Sequence, residues 1–413
     1  MNLTDQLTEQ FENLFGSTLL LRHSPDPTTP NARGIAIILN KRMINTNNVT
    51  EAVLIPGRAI TIRIPWHGDQ HVNILAIYAP NIPGETRRFW REIRSRIEEE
   101  PELKPDIMLG DFNLVEDAID RIPSRPDDPL TMESLREFKI KYGLVDGWRL
   151  ANPEEKGYTW SRESDGTQSR IDRIYVHNSY FNDCAAWEIE PAPVPTDHDL
   201  VSALISTPSA PEIGKGRWAI PTRLTKNREM KKEIQRLARE LQRDVESLRG
   251  RSPQNNAQMA LKRFKTEVRD SLRRHEKKHQ PMIKNKIAKL TESLRDTLNN
   301  ANLPEEEVKI TAAHLKKEIQ LLYRDAHHKS RDILAAVDAA EGERIGKAWS
   351  NRHKENKPRD TIKCIVDPNT GIPTKISKEM AEIAASYHDS LQHEGHDPPV
   401  VLMLLVKLIR SFP

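Results

Sequence analysis

Asp106-Ile107-Met108-Leu109-Gly110-Asp111-Phe112-Asn113 runs three apolar residues into a glycine, and then into an acid and an amide two positions apart. A short apolar run closed by Gly, Asp and Asn reads as a buried strand entering a turn. Side chains alternate along a strand, so Asp111 and Asn113 point to one side of the sheet. The segments around it repeat the texture. Gly34–Leu39, Ala59–Ile64, Val72–Tyr78, Ile171–Val176 and Leu200–Ile205 are short and β-rich, several of them apolar throughout, as strands covered on both faces are. Between them, Thr86–Glu99 places Phe89, Trp90, Ile93 and Ile97 at helical spacing. Thr131–Tyr142 carries Leu135, Phe138 and Ile140 and stops at Gly143, a natural C-cap. Alternating strands and helices predict a mixed α/β domain.

Beyond Thr207 the texture changes. Residues 208–223 hold Pro208, Pro211, Gly214, Gly216 and Pro221 and read as a linker. Residues 224–352 are strongly charged and predict an extended helical arm or bundle with little core of its own, with narrow apolar stripes at Ile234, Leu237, Leu241, Val245 and Leu248 and around Leu315, Ile319, Leu322 and Tyr323. An interrupted stripe of this kind leaves a coiled-coil partner open. Residues 353–413 predict a loop-like tail with one helix at Ser377–Leu391 and an apolar end, Val400–Pro413. The domain expected to carry the chemistry is 1–207.

The 413 residues suffice for two or three domains. A net charge of +3 in a chain that is 30% charged does not by itself point to nucleic acid. Clusters such as Lys262-Arg263-x-Lys265 and Arg273-Arg274-x-x-Lys277-Lys278 offer a basic surface for RNA or DNA, although the interspersed Glu and Asp favour a salt-bridged helix face. Two distant cysteines, Cys184 and Cys364, imply no disulfide framework. Met1-Asn2-Leu3-Thr4-Asp5 has no signal-peptide pattern, and the stretch Val400–Val406 is shorter than the roughly 20 apolar residues that span a bilayer. The chain reads as soluble and intracellular, with no membrane partner. His275-Glu276-Lys277-Lys278-His279 matches a zinc-protease pattern, but its cationic, solvated flanks offer no sheltered ligand face.

Three motifs carry chemistry in one order: Gly110-Asp111-Phe112-Asn113, then Ser169-Arg170-Ile171-Asp172, then Thr196-Asp197-His198. Cleaving a phosphodiester requires a positioned water, a neutralised phosphate and a stabilised leaving oxygen. Asp111 can hold or deprotonate the water and Asn113 orient it. Asp197 offers a hard oxygen of the type Mg²⁺ prefers. His198 can meet the phosphate as a cation or act as a general base. Asp172 can orient the His198 ring. Tyr78, ending another strand in Tyr78-Ala79-Pro80, can donate to developing charge. Singly, each has a plain structural alternative: a turn at 110–113, a cap at Thr196-Asp197, a surface ion pair at Asp172-Arg173, a packed aromatic at Tyr78.

The set Tyr78-Ala79-Pro80, Gly110-Asp111-Phe112-Asn113, Ser169-Arg170-Ile171-Asp172 and Asp197-His198 resembles the endonuclease/exonuclease/phosphatase superfamily. More narrowly, with Asn31-Ala32-Arg33-Gly34-Ile35-Ala36, Gly157-Tyr158-Thr159-Trp160-Ser161 and Lys215-Gly216-Arg217-Trp218, the chain is similar to the apurinic-type endonuclease domain of LINE-type, non-LTR retrotransposon polyproteins, especially fungal ones. The resemblance implies a four-layer α/β-sandwich of two packed sheets. It implies Mg²⁺, with Mn²⁺ as a substitute, DNA as partner, and a nuclear location. It places Tyr78 at the transition state, Asp111 and Asn113 on water and phosphate, Asp172 behind His198, Asp197 on the metal, and Ser169 and Trp160 toward the DNA. Members of the family begin with a strand bearing Asn and a second ending in Gln-Glu, a principal metal ligand. Met1–Asp5 aligns with the segment just after that Gln-Glu, so the fold is expected to be incomplete at its N-terminus and the hydrolase activity impaired. Two alternatives stay open: a catalytically inactive remnant that binds nucleic acid or protein, and a phosphatase of the same superfamily.

Overall fold

A computed structural model describes residues 3–29, 33–66, 70–162, 164–192, 194–206, 227–248, 255–278, 282–300, 302–341 and 364–393, with a few single positions between them. The expected linker 208–223, with Lys215-Gly216-Arg217-Trp218, lies almost wholly outside the described residues. So do Asn31-Ala32, His279, most of 342–363 and Val400–Pro413.

The chain divides into two compact units, residues 1–210 with 286–361, and 211–285 with 362–413. The first is built on a six-stranded sheet. In chain order its strands are β3 (Thr50–Ile55), β4 (Ala59–Pro65), β5 (His71–Tyr78), β6 (Ile107–Asp111), β8 (Leu144–Asp146) and β11 (Asp172–His177). Their order across the sheet is β3-β4-β5-β6-β11-β8, with β5 and β6 parallel and the other pairs antiparallel. The parallel step needs a crossover, and α2 (Pro83–Glu99) supplies it.

Helices α2 and α3 (Pro129–Tyr142) cover one face. Both begin earlier than the apolar spacing alone indicates, because each has a proline in its first turn, where the missing N–H costs nothing. Asp128 caps α3, accepting from the Thr131 N–H, and Gly143 closes it in the left-handed conformation at φ 65°. Phe89, Trp90, Ile93 and Ile97 pack with Leu75, Ile77, Met108, Phe112, Phe138 and Tyr175 in the main core. Each such large side chain contributes roughly 1.5–3 kcal/mol by leaving water.

The opposite face is covered by two hairpins, β1–β2 (Leu19–Pro25, Gly34–Asn40) and β12–β13 (Ala185–Pro191, Asp199–Leu204). Leu39 meets Ile62 and Ile64 in one small core, while Trp187 and Ile205 meet Val72, Ile107 and Val176 in another. The expected layered α/β arrangement is therefore present, with the second layer split into separate hairpins. Short strands β7 (Arg121–Ile122), β9 (Trp160–Ser161) and β10 (Gln168–Ser169) form a further small sheet, in the order β7-β10-β9. Before β1, α1 (Asp5–Phe15) is capped by Thr4.

One arm was expected over 224–352, and the structure divides it. In the second unit α5 (Arg228–Glu246) packs on α6 (Ala257–Lys278) through Met230, Leu237, Val268 and Leu272, so the first apolar stripe is the seam of a helix pair. Its outer charges pair locally, as Arg236 does with Glu233 and Glu240. In the first unit, α7 (Met282–Leu298) and α8 (Glu305–Glu341) bring Leu298, Val308 and Ala312 onto Ile122 and Tyr158 of the α/β domain. The buried stripe of α8 is Val308, Ala312, Lys316 and Ile319, whereas Leu315, Leu322 and Tyr323 are half-buried. The tail helix α9 spans Ser377–His393, behind a two-residue hairpin, β14–β15 (Ile365–Val366, Pro373–Thr374).

Candidate active site

The end of β6 is built around Gly110. Its φ of 137° is one that L side chains rarely adopt, and a Cβ there would stand 2.0 Å from the Ile77 carbonyl oxygen. Only glycine lets β6 lie so close to β5. The resulting register sets Tyr78 beside Asp111 on one side and Asp172 beside Asp111 on the other. Residues paired across neighbouring strands project to the same face, so Tyr78, Asp111 and Asp172 stand abreast. Just beyond, Phe112 is fully buried and stacks on Trp90, which pins the turn from below. Asn113 then takes φ 47°, a left-handed conformation that Asn tolerates better than most residues. Its N–H donates to Asp111 Oδ1 at 2.8 Å, and its Nδ2 donates to the Ala79 carbonyl at 2.8 Å. The turn and the functional reading of Gly110–Asn113 are thus compatible: the turn is what presents the carboxylate.

His198 arrives from another direction. Trp160 of β9 bridges to His198, the Asp199 N–H donates to the Thr159 carbonyl at 2.6 Å, and the Ser161 N–H donates to the Asp197 carbonyl at 3.0 Å. Thr159 links this ladder to the main sheet, since its hydroxyl accepts the N–H groups of Ile171 and Asp172 at 3.1 and 3.0 Å. The outcome is a 2.8 Å contact between His198 Nδ1 and Asp172 Oδ2.

Burial, and then the like charge of Asp172, pushes the Asp111 carboxyl up to about 6. The hydrogen bond to Asp172 raises His198 above the ordinary imidazole range, favouring its charged form. Ligand-type atoms of Asp111, Asp172 and His198 lie within 4.8 Å of one another, a group able to hold a metal ion. Asp197 is not part of that group. It is exposed, and its Oδ2 accepts the Trp160 indole N–H at 2.8 Å.

Ser169 does not reach toward a ligand. It is 3% exposed, and its hydroxyl accepts from Arg121 Nε at 3.1 Å, so a direct DNA contact from this side chain is ruled out by burial. Trp160 is half-buried, with its N–H committed to Asp197 and Arg162 over its ring. The sequence reading missed a second polar cluster. Asp120 is fully buried and accepts Arg170 Nε and Nη2 at 2.8 and 2.7 Å, while Arg170 also pairs with Asp146 at 2.7 Å. Arg173, equally buried, lies 3.7 Å from Asp120 and 3.9 Å from Glu116. Period two could have found it: Arg173 shares a strand face with Tyr175, a core residue.

Residues 7–198 match the Endonuclease/Exonuclease/phosphatase family. This stretch is an endonuclease/exonuclease/phosphatase domain. The Transposon TX1 uncharacterized 149 kDa protein of Xenopus laevis is 36% identical over 163 residues, 38% of this chain. The match spans only 12% of that protein's length. Among solved structures, the endonuclease domain of TRAS1, a telomere-specific non-LTR retrotransposon, is similar at 16% identity and a TM-score of 0.35, covering 46% of this chain and 81% of that one. The AP endonuclease LMAP of Leishmania major is similar at 15% identity and a TM-score of 0.38, covering 44% and 68%. Among the described residues, no helix is long and apolar enough to cross a membrane.

Proposed function

We propose that the domain is a divalent-metal-dependent DNA endonuclease of the retrotransposon type, hydrolysing a phosphodiester at the Tyr78–Asp111–Asp172 row. The single observation that carries this reading is the row itself, with His198 hydrogen-bonded at its end. Three strands converge on one face to present an acid, a phenol and an acid–imidazole pair.

The donor chemistry fits a divalent cation. Asp172 stands close enough that its charge disfavours that of Asp111, a repulsion that a cation relieves. Asp111 and Asp172, rather than the Asp197 expected from the sequence, are the oxygen donors that would hold Mg²⁺ or Mn²⁺, which when bound would neutralise the phosphate and acidify a coordinated water. The chain's own groups divide the remaining work. Asp111, at the end of β6 with its carboxylate held by the turn, is placed to take the proton of the attacking water. Asn113 fixes that carboxylate through its N–H. His198, whose charged form the hydrogen bond to Asp172 favours, is suited to meet the phosphate as a cation. Tyr78, beside Arg58, donates to the developing charge.

Mg²⁺-dependent nicking of supercoiled plasmid tests this. The purified chain is expected to nick, to stop on chelation, and to lose at least ~100-fold in rate as His198→Ala. A wild-type chain that does not nick, yet still binds duplex DNA, would leave the inactive-remnant reading in its place. Hydrolysis of a small phosphoester in preference to plasmid would instead favour a phosphatase.

A further inference from the structure

Helix α8 reaches the site from behind. Val308, Ala312, Lys316 and Ile319 recur along it every three or four residues and all are buried, so a lysine occupies one place in an otherwise apolar stripe. Lys316 is 5% exposed. Its Nζ lies 2.7 Å from Asp199 Oδ2, 2.8 Å from Ser161 Oγ and 3.2 Å from the Tyr158 carbonyl oxygen. An ammonium has three donors, and all three are engaged here. Every acceptor belongs to one of the two segments that meet at His198. Asp199 follows His198 directly, and Ser161 binds the Asp197 carbonyl through its own N–H.

An apolar side chain would fill this position at no cost in desolvation, and replacing a buried ion pair by apolar residues is often neutral or stabilising. Burial alone therefore does not call for lysine. The lysine ties a carboxylate, a hydroxyl and a carbonyl from two chain segments to one point, which a leucine cannot do. The helix is in turn well anchored. Leu298, Val308 and Ala312 share a core with Ile122 and Tyr158. Glu305 Oε1 accepts the Ser124 N–H at 2.6 Å, and Asn299 Oδ1 accepts the Lys156 N–H at 3.0 Å.

We propose that Lys316 is a positioning residue of the active site: from helix α8 it fixes Asp199 and Ser161, and through them the places at which His198 meets Asp172 and Asp197 meets Trp160. Its effect on rate rests on the endonuclease reading, whereas its effect on the segments themselves can be measured without catalysis. The helical region beyond residue 300 thereby belongs to the site, although the family match ends at residue 198.

The test uses the full chain with Lys316→Met and Lys316→Arg. Plasmid nicking gives kcat and KM, and amide hydrogen exchange reports on residues 158–161 and 196–200, with strands β5 and β6 as internal reference. Lys316→Met is expected to lower kcat by about 10- to 100-fold with KM within about twofold, since a displacement near 1 Å at a reacting group costs about that much. Exchange should quicken in the two segments and remain unchanged in β5 and β6. Lys316→Arg, which keeps the charge and the donors, should restore most of the rate. Wild-type exchange in both segments of Lys316→Met overturns the proposal, and so does an equal loss of protection in β5 and β6, the mark of a general stabiliser. Should Lys316→Met not fold, the double variant Asp199→Asn/Lys316→Met removes both buried charges. It should show the same local loosening, and wild-type exchange in it likewise overturns the proposal. A wild-type chain without nicking activity sinks the endonuclease reading, and the exchange data then decide this one alone.

Discussion

The stretch Arg170–Arg173, which leads into strand β11, carries two polar clusters, and they differ in how the charges are balanced. On one side Arg170 and Arg173 close over Asp120, Asp146 and Glu116, with Asp120 fully buried. On the other, Asp172 and His198 meet at 2.8 Å with their side chains 20% and 33% exposed, beside an Asp111 whose charge burial disfavours. In the closed cluster, opposite charges answer one another. Burial works against the charge of Asp120, yet the hydrogen bond and charge of Arg170 hold its carboxyl below the ordinary range. The open cluster has an excess of carboxylate and access to solvent. A buried cluster of balanced charge holds a fold together, and one with excess carboxylate at a strand end is ready to take a ligand.

Breaking the closed cluster should be the more damaging change to the fold. Asp120→Ala leaves Arg170 buried without its two-point partner and takes one of three nearby carboxylates from Arg173, and removing one member of a buried pair costs about 3–5 kcal/mol. Urea unfolding should show that loss, with the nicking rate per folded molecule unchanged. A loss under about 1 kcal/mol would mean that solvent reaches the arginines and that the two clusters do not differ in kind.

Asp172→Asn attacks the open cluster. It keeps the shape and the N–H ladder around Thr159 but removes the charge that favours the imidazolium of His198. The nicking rate should fall by about 10²–10⁴-fold, within the range of a positioned acid–base group, while the unfolding midpoint moves little. Equal damage to stability and rate would make Asp172 another structural acid.

The two clusters were also unequally legible in the sequence. Asp111, Asp172 and His198 stand out because each sits next to a backbone signal: Gly110 and Asn113 for the first, a strand start for the second, a turn for the third. Arg170 and Arg173 look like surface charges, because lysines and arginines almost always are. Lys316 is hidden for the same reason inside a helix that reads as solvated. Strands Thr50–Ile55 and Ala185–Pro191 went unseen because they are not uniformly apolar; Glu51, Glu188 and Glu190 interrupt them. Periodicity finds strands and helices whose neighbours are apolar. It can place Arg173 on a buried strand face, but it cannot name a partner 50 positions away, as Asp120 lies from Arg170.

The finest distinction is the sign of a pH dependence at Asp111. Its folded pKa of about 6 lies above the ordinary 3.8. Between those values the folded chain holds a proton that the unfolded chain has released, so stability falls as pH rises from about 4 to 6. The shift corresponds to ~1–3 kcal/mol once relaxation of the half-buried site is allowed for. Above pH 6 the penalty is fully present, and below pH 4 it is absent. Asp111→Asn removes the charge and keeps an oxygen to accept the Asn113 N–H. With chelator present, it should therefore be more stable than wild type at pH 8 and no more stable at pH 4. A gap in unfolding midpoint that stays constant between those two pH values would mean that Asp111 is not strained by its charge. The open cluster would then be as balanced in charge as the closed one, and the contrast between the two would not stand.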